Sequence, residues 1–264
     1  LAEHFNDAIS RPQEVEEILE VPTLAAIPHV AARKLRPKAF IGSVPVEAKT
    51  MGVSRSARIR RAWDTAEGIR PFFEALQARL ILSLNGSAPP LGVIGFTSCY
   101  PGEGASTLCA NLATRLSQGD SGKVLLVHVP GNGQKRRLER LFGTEFPTET
   151  EEEPKERTVV IRPIVLGGSL DAIVSLPRQC APTTLRRIVE QLRGRYGLVL
   201  LDLPPVTSDS AALKWAPYTD GIVLVIQANK VSSDLAQRTK KILEEAHTRL
   251  LGVVLNKSPA KLIV

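Results

Sequence analysis

Gly104 and Ser106 stand between an apolar run and a helical pattern, and residues of those types at that spacing can bind phosphate. They lie in LGVIGFTSCYPGEGASTLCANLA, Leu91 to Ala113. Val93, Ile94 and Phe96 are strand formers, Cys99 to Gly104 make a short loop, and Leu108, Leu112 and Leu116 then recur on one helical face. Such a strand, glycine loop and helix turn backbone N–H groups toward an anion, and the helix start adds free donors and a positive dipole end. In the pattern GxxxxGK(S/T), a Lys reaches the β/γ-phosphates and the hydroxyl binds Mg²⁺. The Lys position here is Ala105. A charge-assisted hydrogen bond contributes roughly 1.5–3 kcal/mol, so its loss is expected to weaken nucleotide binding by about one to two powers of ten. Phosphoryl transfer should suffer more, because that Lys meets charge developing during the reaction. The alternative is a glycine-containing turn in an ordinary α/β domain.

The elements that position this loop alternate strand and helix. A helix over Ala66–Leu84 precedes the loop strand, and KVLLVHV (Lys123–Val129) reads as a buried parallel strand running into PGNGQKRR. Thr158–Leu166 is a strand candidate and Pro182–Arg193 an amphipathic helix. GLVLLDL (Gly197–Leu203) is another buried strand, with Asp202 at its end before Pro204 and Pro205. A helix at Ser208–Trp215, a strand at Gly221–Ile226, a helix at Ser232–His247 and a strand at Leu250–Leu255, closing at Asn256, complete the pattern. From about Leu91 onward this predicts a doubly wound, mostly parallel α/β sheet with helices on both faces. Ligands of such sheets sit beyond the strand carboxyl ends, where the loop and Asp202 both fall.

The flanking segments differ in kind. Residues 1–32 read as a short structured approach: a helix Glu14–Leu19 with Ser10 and Gln13 at capping-box spacing, then VPTLAAIP as an extended piece between prolines. Residues 33–65 read as a flexible basic linker, with nine Lys and Arg against the single acid Glu47 between Arg33 and Arg61. Residues 66–264 form the α/β domain, carrying an acidic loop at 144–157. The net charge of +7 on 264 residues suggests an anionic partner. An anionic membrane surface near residues 33–61 fits best; the bland reading is a solvated loop, and specific nucleic-acid binding is not expected because only one aromatic residue, Phe40, is interleaved. Cys99, Cys109 and Cys180 show no metal spacing and no even set, which fits a reducing compartment, and the first two are expected to be buried fillers. No apolar run approaches the ~18–20 residues of a membrane span.

Taken in order, YPGEGAST…NLA, the VLLVHV strand with its basic turn, YGLVLLDLPPV and LGVVLN resemble the cytoplasmic domain of bacterial tyrosine kinases, which belong to the polysaccharide co-polymerases that regulate capsule and exopolysaccharide export. HFNDAISRPQEVEEILEVPTLAAIP resembles the stretch after that family's second membrane helix. The resemblance implies a fold of the P-loop NTPase type and ATP or ADP with Mg²⁺ as ligand. It makes Gly102, Glu103, Gly104, Ala105, Ser106 and Thr107 the phosphate-binding run, Ser106 and Asp202 the Mg²⁺ residues, and Asn256 a polar residue near the base. It also implies the cytoplasmic face of the plasma membrane, an upstream membrane segment, membrane partners in polysaccharide export and a homo-oligomer.

The departures from that family concern charge. Its loop Lys falls on Ala105, and the two carboxylates of its Asp-x-Asp motif, which bind Mg²⁺ and help deprotonate the acceptor tyrosine, fall on His128 and Pro130. A strand-end histidine with a satisfied hydrogen bond is the expected reading of His128, and a substitute base the alternative. The helix motif Glu-x-x-Arg-x-x-Arg begins at Glu74 but meets Gln77 and Leu80, and the tyrosines Tyr100, Tyr196 and Tyr218 do not form the family's terminal cluster. The expectation is a regulatory or scaffolding domain with a degenerate Walker loop, weak or no nucleotide binding and little or no kinase activity. Its rivals are an active tyrosine autokinase with a cation from elsewhere, such as Lys135 or Arg136, and a partition-type P-loop ATPase.

Overall fold

Near-continuous runs of Val, Ile and Leu suit strands covered on both faces, and in the computed structural model they assemble into one eight-stranded sheet. The structure describes residues 7–29, 70–85, 92–117, 122–131, 160–163, 170–175 and 181–259. In chain order the strands are β1 (Thr23–Pro28), β2 (Val93–Ser98), β3 (Val124–His128), β4 (Val160–Pro163), β5 (Leu170–Ser175), β6 (Leu198–Asp202), β7 (Gly221–Gln227) and β8 (Leu250–Ser258). The helices are α1 (Pro12–Leu19), α2 (Arg70–Asn85), α3 (Ala105–Leu116), α4 (Pro182–Arg193), α5 (Ala211–Trp215) and α6 (Ser233–Glu245).

The strand order is β1-β8-β7-β2-β6-β3-β5-β4, with every pairing parallel except the edge pair β4–β5. β2 is central, flanked by β6 and β7; the chain leaves β2 for β3 on one side, whereas the adjacent β7 leads to β8 on the other. That is the switch point beyond which doubly wound sheets bind ligands.

The period-2 alternation of the strands divides the core. Ile94, Phe96, Val124, Leu126, Leu198 and Leu200 pack with Leu108 and Leu112 of α3 and with Phe73, Leu76 and Leu80 of α2. Val93, Leu125, Val127, Val199 and Leu201 pack on the opposite face with Leu185, Ile188 and Leu192 of α4. Continuing the alternation by one step sends His128 and Asp202 to the α3 face, and the register sets them opposite each other.

Four expectations need correction. The sheet does not begin near Leu91: VPTLAAIP supplies β1, which pairs in parallel with β8, and Arg79 of α2 covers the outer side of β1 by donating to the Thr23 and Leu24 carbonyls. β5 was not anticipated between the acidic loop and α4. The start of α1 is secured by Glu14 rather than Gln13, since its carboxylate accepts from the Ser10 N–H, the Ser10 hydroxyl and the Arg11 N–H. β8 continues past Asn256 to Ser258. The basic linker 33–65 and the acidic loop 144–157 lie outside the described residues, as do Lys135 and Arg136. Among the described residues no helix is long and apolar enough to cross a membrane.

Candidate functional site

The end of β2 and the start of α3 leave six residues to make the turn, and two glycines absorb its curvature. Gly102 (φ 88°) and Gly104 (φ 101°) both occupy the left-handed region, where a side chain is strained. Gly104 is also closed sterically: an added Cβ would collide with Asn256 Nδ2. α3 then starts at Ala105, directly after the second glycine.

Glu103 is the brace of this loop. Its side chain is fully buried, and Oε2 accepts from the N–H groups of Cys99 (2.9 Å) and Tyr100 (3.2 Å). Oε1 is buried with no partner among the described residues. Burial is the largest influence and pushes its pKa up to about 7, with the Tyr100 and Cys99 N–H bonds and the charges of Lys230 and Lys257 opposing. The carboxyl group therefore serves the loop's own backbone, and only the backbone of residue 103 is left for a ligand. Asn256 behaves alike: its Nδ2 donates to the Glu103 carbonyl (2.7 Å) and its Oδ1 accepts from the Lys257 N–H (2.9 Å). Each end of that amide makes a bond inside the protein. Thr107 sits half-buried in the first turn of α3, its carbonyl accepting from Asn111.

Ser106 and Asp202, 96 residues apart, come together as the pattern requires. The Ser106 hydroxyl donates to Asp202 Oδ1 at 2.6 Å. The other carboxylate oxygen, Oδ2, is 2.7 Å from His128 Nδ1. All three side chains are at least nine-tenths buried, and His128 Nε2 has no partner among the described residues. Each hydrogen bond to a carboxylate contributes roughly 1.5–3 kcal/mol, so Asp202 is held from both sides.

The fit of the expected ligands follows from these contacts. The backbone has the features that favour a polyphosphate, two left-handed glycines followed directly by a helix start. Mg²⁺ does not suit the side chains. It demands a near-octahedral shell of oxygens and is usually held by carboxylates, whereas here Asp202 is hydrogen-bonded at both oxygens, and the positions where the resemblance calls for two carboxylates carry an imidazole and Pro130.

Two residues that the sequence did not single out complete the surroundings. Lys257 Nζ donates to Gln227 Oε1 (2.9 Å) and to the Gly102 carbonyl (3.3 Å), placing a cation against the loop. Thr207 donates to the Cys99 carbonyl, and the Val206 N–H to the Ser98 carbonyl (2.9 Å), so the turn after β6 is stitched to the loop. The thiols are inert fillers as expected: burial raises Cys99 to about 12, and burial with the Asp202 charge holds Cys109 well above its usual range.

No family model matches the chain. Among curated proteins it is similar to the tyrosine-protein kinase YwqD of Bacillus subtilis, 27% identical over 168 residues, which is 61% of this chain and 70% of that protein. It is also similar to the tyrosine-protein kinase CpsD of Streptococcus agalactiae, 25% identical over 216 residues, 76% of this chain and 87% of the relative. Its homologues are bacterial tyrosine-protein kinases. A further homologue is the succinoglycan biosynthesis transport protein ExoP of Rhizobium meliloti, 24% identical over 63% of this chain and 22% of ExoP. Among solved structures, the kinase domain of the Escherichia coli tyrosine kinase ETK matches with a TM-score of 0.70 over 97% of each chain at 19% identity, a likeness of fold. Within this tyrosine-kinase-like fold the chain keeps the loop glycines, Ser106 and Asp202, and carries Ala105, His128 and Pro130 where the resemblance calls for Lys and two carboxylates.

Proposed function

We propose that this chain is the cytoplasmic domain of a regulator of exopolysaccharide or capsule biosynthesis and export, built on the tyrosine-kinase fold but without its phosphotransfer chemistry. It works as a regulatory or scaffolding module at the inner face of the membrane, docking to membrane proteins of the export machinery and to anionic lipid through residues 33–61. Nucleotide binding is weak or absent. The observation that carries this reading is the loss of charge at three positions in one site: Ala105 contributes no cation, and His128 and Pro130 no carboxylates, around a loop whose backbone is intact. Phosphoryl transfer depends on such groups to offset the developing charge.

One observation favours a second reading, an active autokinase. Lys257 donates to the Gly102 carbonyl and is a described cation that could stand in for the missing Lys. The test is ATP turnover and phosphotyrosine formation by the purified protein with Mg²⁺. The regulatory reading predicts neither above background. Turnover that disappears in Ser106→Ala, and falls in Lys257→Ala, would establish the autokinase instead. Salt-sensitive DNA binding would point to a partition-type ATPase.

A further inference from the structure

The two residues that the resemblance assigns to Mg²⁺, Ser106 and Asp202, are bonded to each other, and Asp202 is bonded in addition to His128. Asp202 is 1% exposed, and its two oxygens are taken by Ser106 (2.6 Å) and His128 (2.7 Å). His128 reaches it because β3 and β6 pair in register and both side chains fall on the α3 face, where Ser106 lies in the first turn of the helix. His128 is no loose surface residue: its side chain is 9% exposed, and the Val129 N–H donates to the Asp202 carbonyl (2.9 Å), fixing the strand end beside it. Ser106 can donate to Oδ1 and still offer its oxygen to a metal, so the obstacle is His128: its bond to the buried Oδ2 must break for that oxygen to reach Mg²⁺, and the imidazole that replaces the carboxylate offers a nitrogen that this ion does not favour.

Resting on the reading that the site is a charge-depleted phosphate loop, we infer that it is a metal-independent site for a polyphosphate anion, in which His128 has displaced Mg²⁺ as the partner of Asp202. The anion is held by the N–H groups of the Gly102–Thr107 run and by Lys257 at the rim. His128 is a positioning residue: it acts on the anion through Asp202 and Ser106. The chemical class is pyrophosphate or the diphosphate part of a nucleotide, and the two are separable by whether an adenosine group adds affinity.

The test is calorimetric titration of the intact chain with ADP, ATP and inorganic pyrophosphate, each with excess Mg²⁺ and with EDTA, at one pH. The expected result is saturable binding whose dissociation constant differs by less than about threefold between the two conditions. His128→Asp, which restores a carboxylate, should then bind at least about tenfold more tightly with Mg²⁺ than with EDTA. His128→Asn, a smaller change of shape, should respond to Mg²⁺ in the same direction, with thermal melts confirming that both variants are folded. Tightening of the unaltered chain by Mg²⁺ beyond about threefold overturns the inference. So does an absence of binding in both conditions, or a folded His128→Asp with no more response to Mg²⁺ than the unaltered chain. Absence of binding leaves the regulatory reading standing. Mg²⁺-dependent binding accompanied by phosphotyrosine overturns both, and without phosphotyrosine it overturns this inference alone.

Discussion

Glu103→Gln isolates the brace of the loop. In the folded chain the Glu103 carboxyl titrates at about 7 against an ordinary 4.5, because burial penalises the charged form. Between those values the unfolded chain has released the proton and the folded chain still holds it. The stability contributed by the neutral carboxyl is therefore complete below about pH 4.5, declines as the pH rises, and is lost above about 7. A shift of that size corresponds to about 3 kcal/mol. Glutamine keeps the acceptor for the Cys99 and Tyr100 N–H groups and never ionises, but it places an amide N–H₂ where Oε1 now lacks a partner, at a cost of about 1–3 kcal/mol. Urea unfolding of both proteins from pH 4.5 to 8 cancels every other titrating group in the difference. That difference should move in favour of Glu103→Gln by about 3 kcal/mol as the pH rises, so that the variant is the less stable protein in acid and equal or better in mild alkali. A difference constant to within about 0.5 kcal/mol across the range, or one moving the other way, refutes the reasoning.

Gly104→Ala should destabilise the chain by about 1–3 kcal/mol through strain at positive φ and contact with Asn256, and part of that cost should vanish in an Asn256→Ala background, as measured by a double-mutant cycle. Arg193→Ala removes a bidentate pair to Asp220, whose Oδ2 also accepts the Val93 N–H at the start of β2, so a loss of about 1–3 kcal/mol in urea unfolding is expected. Sedimentation with vesicles should show binding to anionic and not to neutral lipid, at ~1 kcal/mol per basic residue of 33–61 near the surface. Equal binding to both vesicle types removes that segment's proposed role.

The fold was legible where strands are apolar throughout and helices amphipathic. β2, β3, β6, β7 and β8 were readable because each is a run of Val, Ile and Leu ended by a polar residue or a turn. β1 was not, since its residues look extended in isolation and only the pairing of Ala25 with Val254, over two hundred residues away, makes them part of the sheet. β5 was hidden because LDAIVS is short and lies between an acidic block and a helix. In the site, the glycines, Ser106 and Asp202 were legible from type and spacing. The His128–Asp202 contact was not, because it depends on the register of β3 against β6, although the alternation that places both on one face is visible once the register is known. Lys257 escaped notice because β8 was expected to stop at Asn256, and nothing local signals that the strand carries the next side chain back across the loop.

The central claim is that the loop backbone can still wrap a polyphosphate and that the charge lost at Ala105 is what limits it. Titration of ADP in EDTA against the unaltered chain and Ala105→Lys tests this most directly, because chelation removes any contribution of metal. The former should bind weakly and the latter more tightly by about one to two powers of ten, the equivalent of one charge-assisted hydrogen bond. Tight binding by the unaltered chain, or a folded Ala105→Lys that binds no better, would contradict it.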